Sequence, residues 1–309
     1  MTARFILSLD CEGKWGVADV LTRDYHRQLS DERLREAYHA LLALLRNYDV
    51  AATFAFVGLF GEDRANVRRL EPELRQLAEQ VPHYLSPALE DMTAGSREGW
   101  HGDWAVADVL EQGPAHEVAL HGVTHVPWGT VDRSFIDAER RLHAQLGPEL
   151  RAAKTFVYPR NDIAHQAQLR DFGIGGYRLA RLRSRAASLA TEFSVFTPPD
   201  TDPQPLGDPV GIPAGHFVNW RHGPRRLVPR WLSILRGRRM LDRASATGGV
   251  VHYWLHPENI ASAPDTLDVL RGILAHVARL REAGRCEVLT QLDYCRKLAG
   301  AAAGPRAAA

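Results

Sequence analysis

Two histidines four residues apart, His121 and His125, follow the apolar run HEVAL, and two carboxylates two residues apart, Asp10 and Glu12, follow the apolar run FILSL. Imidazole nitrogens and carboxylate oxygens together suit zinc and its neighbours. One helical turn at a strand end points both imidazoles at a single ion. Alternate residues of an extended strand face the same way, which aims Asp10 and Glu12 together. One carboxylate can then ligate the ion while the other stays free as a base for water that the ion acidifies. Each pattern alone has an ordinary explanation, as a surface histidine pair or as the polar exit of a buried strand.

Two further strand ends carry reactive groups. The run VVHYWLHP brings His256 to its last position, where an imidazole can hand a proton to a departing amine. His252, four residues earlier, reads as a packed strand histidine. In FVYPRN, Pro159 stiffens the exit of an apolar run and exposes Arg160 and Asn161, and an arginine there can brace a carboxylate.

These groups need strands behind them. Apolar runs rich in Val, Ile, Phe and Tyr recur as FILSL, VAATFAFVG, HEVALH, KTFVYP, IGGYRLA, GIPAGHF and VVHYWLH, which predicts seven strands. Between the first two, Leu34, Ala37, Leu41, Leu42 and Leu45 share one helical face. SFIDAERRLHAQL, HQAQLRDFG and TLDVLRGILAHVARLREAG have similar helical patterns. Alternating strand and helix implies a mainly parallel sheet, doubly wound or closed into a barrel, with reactive groups at the C-terminal strand ends. Pro82 to Gly113 and Phe193 to Pro213 read as long loops over the site, and AGAAAGPRAAA as a frayed tail.

Composition narrows the partners. The 38 Lys and Arg against 37 Asp and Glu leave a net charge of +1, so nothing global points to nucleic acid. Three cysteines without a CxxC pair fit a reducing compartment better than a disulfide framework. The first residues complete no signal-peptide core, and no run approaches the roughly 18 apolar residues of a membrane span. A soluble, cytoplasmic protein is expected. One basic segment stands out: Arg221, Arg225, Arg226, Arg230, Arg236, Arg238, Arg239 and Arg243, interleaved with Trp231, Leu232 and Leu235. It reads either as a surface for phosphate groups or peripheral membrane contact, or as a solvated helix whose Arg stems cover apolar neighbours.

In this order the segments resemble the polysaccharide deacetylase family, also called the NodB homology or carbohydrate esterase 4 group, from about Phe5 to Leu298. The resemblance implies an α/β fold, an incomplete or distorted (β/α)7 TIM-like barrel in a single catalytic domain over 1–298, with 299–309 as a disordered tail. SLDCEG is similar to the family's T-F-D-D-G motif, implying Asp10 as the base. The family's ligand position falls on Cys11 and the next carboxylate is Glu12, so Glu12 is the expected ligand and Cys11 the softer alternative. HGVTH resembles the H-S/T-x-x-H motif, with Gly122 in second place, implying His121 and His125 as ligands. VYPRN resembles the R-x-P-Y segment, implying the Arg160 amide at the oxyanion, although Val157 stands where the family has its Arg. WLHP resembles L-x-L-H and implies His256 as the acid, with Asp200 and Asp208 as candidates to orient it. Tyr158, Asn161 and Trp254 flank these groups and are expected to contact substrate.

The implied activity is metal-dependent hydrolysis, with zinc the expected metal, removing an acetyl group from an N-acetylated sugar of a glycan or glycan precursor. A nucleotide-linked or lipid-linked sugar is the expected carrier. The alternatives are a hydrolase of non-sugar amides or cyclic imides on the same barrel, and a catalytically inactive carbohydrate-binding relative.

Overall fold

A computed structural model describes residues 1–96, 98–181, 190–203 and 207–302. In chain order its strands are β1 (Ala3–Cys11), β2 (Thr53–Phe56), β3 (Glu117–Leu120), β4 (Thr155–Phe156), β5 (Gly176–Arg178), β6 (Val210–Ile212), β7 (His216–Phe217), β8 (Val250–Leu255) and β9 (Cys286–Leu289). β1 is buried almost throughout, as befits a strand that is apolar without alternation and covered on both faces. β8 pairs with Arg4–Leu9 along one edge of β1, while β2 takes Ser8–Cys11 and β9 takes Ala3–Ile6. Every strand pairing is parallel, in the order β6-β5-β4-β3-β2-β1-β8-β7 with β9 off that path.

β6 and β7 are the two outer edges of this sheet, yet only residues 213–215 separate them in the chain. So short a link reaches at most about 14 Å. The sheet therefore curls until its edges nearly meet, and the helices wrap its outside. The result is a single domain with an incomplete (β/α) TIM-like barrel. The helix Asp31–Asn47 shows why: Leu34, Ala37, Leu41, Leu42 and Leu45 are buried as their spacing predicts, and the Ser30 hydroxyl caps the helix by accepting from the Arg33 amide.

Several expectations need correction. GIPAGHF is not one strand but contains the end of β6 and all of β7, broken by Pro213 and Gly215. β9 was not anticipated because CEVL is short, carries a glutamate and is only half-buried in its middle. The stretch expected as a loop from Pro82 to Gly113 holds two helices, Pro82–Thr93 and Asp103–Glu111. Pro82 sits in a first turn, where no amide is needed, and Leu85, Ala88, Leu89 and Ala105, Val106, Val109 bury helical faces. HQAQLRDFG forms a 3-10 turn, Gln166–Phe172. The last helix runs to Ala302, inside the expected tail, as its alanines favour. The remainder of that tail, 303–309, lies outside the described residues, as do Arg97 and 204–206 of the two expected loops. Among the described residues no helix is long and apolar enough to cross a membrane.

Candidate metal and catalytic site

The C-terminal strand ends converge. Asp10 is the penultimate residue of β1 and Glu12 follows the strand; His121 and His125 follow β3, Arg178 closes β5 and His256 follows β8. Glu12 Oε1 lies 3.0 Å from His121 Nε2, 3.1 Å from His125 Nε2 and 3.3 Å from His256 Nε2. The expected helical turn at HGVTH is absent: the segment is a bend in which Gly122 has φ +70° and His125 φ +62°. A side chain at Gly122 would press on the Pro159 ring, 2.8 Å from an ideal Cβ. The left-handed His125 swings its ring back beside that of His121, with centroids 4.9 Å apart.

Thr124 is held from outside its turn. Buried Glu139, on the helix Arg133–His143, accepts from the Thr124 amide (2.9 Å) and hydroxyl (2.5 Å), and its other oxygen accepts from the Trp128 indole (2.9 Å). Burial keeps this carboxyl above its usual range despite those donors.

The donor set fits a divalent cation. Nδ1 of His121 donates to the Val157 carbonyl at 2.8 Å, which leaves a lone pair on Nε2 facing an oxygen that also only accepts. Two acceptors at 3.0 Å require a proton or a cation between them. Atoms ligating one tetrahedral zinc stand roughly 3.3 Å apart, close to the distances from Glu12 to His121 and to His125, and the three ligand atoms all lie within 4.8 Å of one another. Burial alone would raise the Glu12 pKa, but His256, His125 and His121 hold it well below the usual range. An ideal Cβ on Gly16 would stand 1.8 Å from Glu12 Oε2, so only glycine leaves room for this carboxylate. Cys11 points the other way, into the core beside Tyr38, where burial pushes its thiol up. The period-two geometry thus separates Cys11 from both carboxylates.

Asp10 is paired by a residue the sequence did not single out. Arg178 donates to both its oxygens, at 2.7 and 2.6 Å, and also to Ser8 Oγ at 3.2 Å and Asn161 Oδ1 at 3.1 Å. Both partners are buried. Burial would raise the Asp10 pKa, but Arg178 overrides it and the carboxyl stays below its usual range. The available signal was a charged residue inside the run IGGYRLA, since a buried arginine is almost always paired.

Arg160 does not brace Asp10. Its side chain reaches Asp19 and the Gly16 carbonyl, because the backbone at Arg160 is left-handed (φ +57°) and turns it along the rim. Nor do the proposed acids orient His256. Asp200 bonds Arg181 and lies 3.6 Å from His216, and exposed Asp208 pairs with Arg170. Instead His256 Nδ1 lies 3.2 Å from Asn259 Oδ1, which also accepts from the His256 amide at 3.4 Å. Its Nε2 faces Glu12 and, at 4.0 Å, Asp10. Burial lowers the affinity of His256 for a proton, but Glu12, then Asp10 and Glu258, outweigh it and bring the pKa to about 9. Glu258 accepts from the amides of Glu12 (3.0 Å) and Gly13 (2.6 Å), fixing the turn that carries Glu12.

A cavity of about 350 Å³ exposes Asp10, Glu12, His121, Arg160 and His256. A second, of about 710 Å³, adjoins it, and the two share Asn161, Trp220, Trp254, His256 and Asn259. Tyr158 lines neither: it is buried among Trp128, Phe156 and Tyr177, because residues alternate along the exit of β4 and this one faces the core. His252 is packed as its position suggested, between Ser8 Oγ (2.9 Å) and the Pro213 carbonyl (2.6 Å), and burial lowers its pKa to about 3.

The arginine-rich segment forms a short turn and the helix Arg230–Thr247. Its cations have divided roles. Arg221 pairs with Asp265, Arg230 with Asp268 and buried Arg236 with Glu192, while Arg239 and Arg243 cover the Phe196 ring. Leu227 and Trp231 are exposed, next in the chain to Arg226 and Arg230 respectively.

No family model and no curated protein matches the chain. Among solved structures it is similar to a Mycobacterium smegmatis protein assigned to the polysaccharide deacetylases, at 16% identity and a TM-score of 0.58, covering 100% of this chain and 94% of that one. It also matches the Xyl-CE4 domain of a multidomain xylanase from the hindgut metagenome of Trinervitermes trinervoides, at 12% identity and a TM-score of 0.41 over 97% and 92% of the two chains. An allantoinase matches at 13% identity and a TM-score of 0.46 over 95% and 89%. The chain therefore has a polysaccharide deacetylase-like fold, and its chemistry rests on its own residues.

Proposed function

We propose that this protein is a metal-dependent hydrolase that removes the acetyl group from an N-acetylated sugar of a glycan or glycan precursor. The observation that carries the reading is the meeting of three imidazole Nε2 atoms on one Glu12 oxygen, with Arg178-bound Asp10 alongside. Glu12, His121 and His125 would hold the cation, zinc by the chemistry of the set. When bound, it polarises the acetamide carbonyl and acidifies water.

Asp10, kept ionised by Arg178, takes the proton of the attacking water. His256, steered by Asn259, is the acid that passes a proton to the amine nitrogen as the C–N bond breaks. Water adds across the amide bond, and acetate and the free amine leave. The amide of Arg160 is the candidate donor to the oxyanion. Trp254 and Trp220 offer faces for a sugar ring, and Asn161 a polar anchor. The three buried free cysteines suit action in a reducing compartment such as the cytoplasm. Exposed Leu227 and Trp231, next in the chain to Arg226 and Arg230, support peripheral contact with an anionic membrane, checked by sedimentation with liposomes at low salt.

Metal analysis of the purified protein, coupled to acetate release from a panel of N-acetylated sugars, tests the reading. Bound divalent metal and chelator-sensitive release are expected; release from small amides alone, or none from any acetylated sugar, overturns it.

A further inference from the structure

The 710 Å³ cavity begins where the catalytic groups end, so a molecule with its amide at His256 extends into it past Trp254 and Asn259. Among the described residues, three arginines line this cavity, Arg181, Arg225 and Arg236, against one acidic residue, Glu192. Two of the three are committed. Arg236 pairs with Glu192 at 2.7 Å and donates to the Thr191 carbonyl at 2.8 Å, and Arg181 bonds Asp200 and the Gly215 carbonyl.

Arg225 is different. Among the described residues no carboxylate lies within 4 Å of it, and its guanidinium stands over the Phe217 ring, 4.8 Å from the centroid. Burial weakens its hold on its proton, which Glu192 opposes only in part and Arg236 aggravates. Partly desolvating a cation without a counter-charge costs free energy that an oxyanion would return, and arginine presents the paired donors that phosphate and carboxylate accept. The position is close to the chemistry: the Phe217 ring lies 4.7 Å from that of Trp254 and 6.0 Å from that of His256.

We propose that Arg225 is the centre of an anion subsite, and that the substrate is an N-acetylated sugar carrying an oxyanion, phosphate or carboxylate, on the portion next to the acetamide-bearing ring. The substrate class rests on the deacetylase reading; the anion site does not.

The first test is calorimetric titration of the metal-loaded protein with inorganic phosphate, repeated in the presence of chelator. Arg225→Gln keeps part of the stem over Phe217 and removes the charge. Phosphate binding that survives the chelator, weakens roughly tenfold in Arg225→Gln and partly returns in Arg225→Lys is expected. Binding that vanishes with the chelator, or is equal in wild type and Arg225→Gln, overturns the site.

The second test compares acetate release from a neutral N-acetylated oligosaccharide, from an N-acetylated sugar linked through a diphosphate, and from an N-acetylated oligosaccharide containing uronate. A preference for one charged substrate that shrinks roughly tenfold in KM in Arg225→Gln supports the proposal, and the substrate affected identifies phosphate or carboxylate. A preference for the neutral substrate, insensitive to Arg225→Gln, overturns the substrate class. Phosphate binding at Arg225 with no acetate release from any substrate would sink the deacetylase reading and leave the anion site standing.

Discussion

Asp10 and Glu117 are buried carboxylates of the same sheet, one near the end of β1 and the other at the start of β3, and their surroundings drive them in opposite directions. At the end of β1, Arg178 opposes burial and keeps Asp10 ionised. At the start of β3, Glu117 meets, among the described residues, only neutral donors: the hydroxyls of Thr53 (2.7 Å) and Thr155 and the Leu292 amide (2.9 Å). Burial there wins, and the carboxyl pKa rises above its ordinary value. One end of the barrel holds charge against the cost of burial, as chemistry requires; the other knits strand starts together with a group that favours its neutral form.

The sharpest way to break this contrast is Asp10→Asn. Turnover should fall by roughly 10² to 10⁴ while metal content, measured by elemental analysis, stays as in wild type. Retained turnover would remove Asp10 from the chemistry. Next, Arg178→Met leaves a carboxylate buried without its counter-charge, and chemical denaturation should show a loss of about 3–5 kcal/mol. An unchanged midpoint would mean the pair contributes nothing there. Gly16→Ala drives a methyl into Glu12 and should weaken metal affinity roughly 10- to 100-fold, read by competition with a chelating dye.

The smallest effect belongs to the other end. Folded Glu117 binds its proton more tightly than the unfolded residue, so the folded state holds more protons above the unfolded value of 4.5. Stability from this group is complete below that value and declines as pH rises towards the raised folded pKa. Glu117→Gln should flatten that decline and leave acetate release near wild type; a parallel loss of turnover would erase the distinction between the two ends.

How legible each group was in the sequence follows the same division. Asp10, Glu12, His121, His125 and His256 stand where strong apolar runs stop, a place where a polar residue asks for a reason. Their partners do not. Arg178 lies inside a strand run, Glu139 on an amphipathic helix, and Glu258 and Asn259 in the first turn after a proline, and only the parallel topology brings them to the site. The parallel sheet was legible because strand and helix alternate, whereas its curling into a barrel was implied only by the family resemblance. β9 was not, because its place beside the start of β1 is set by long-range pairing rather than by its own composition.

The break between β6 and β7 leaves the barrel wall unsewn, and Ala214 to Phe217, on that break, line the larger cavity. A closed wall would confine reactants to the rim above it, whereas here they have space at the side as well. The chain beside the break can therefore change length or charge while the strands at the middle of the sheet keep their groups in register. The proposed reactive groups and the residues on the break thus stand on separate stretches of sequence.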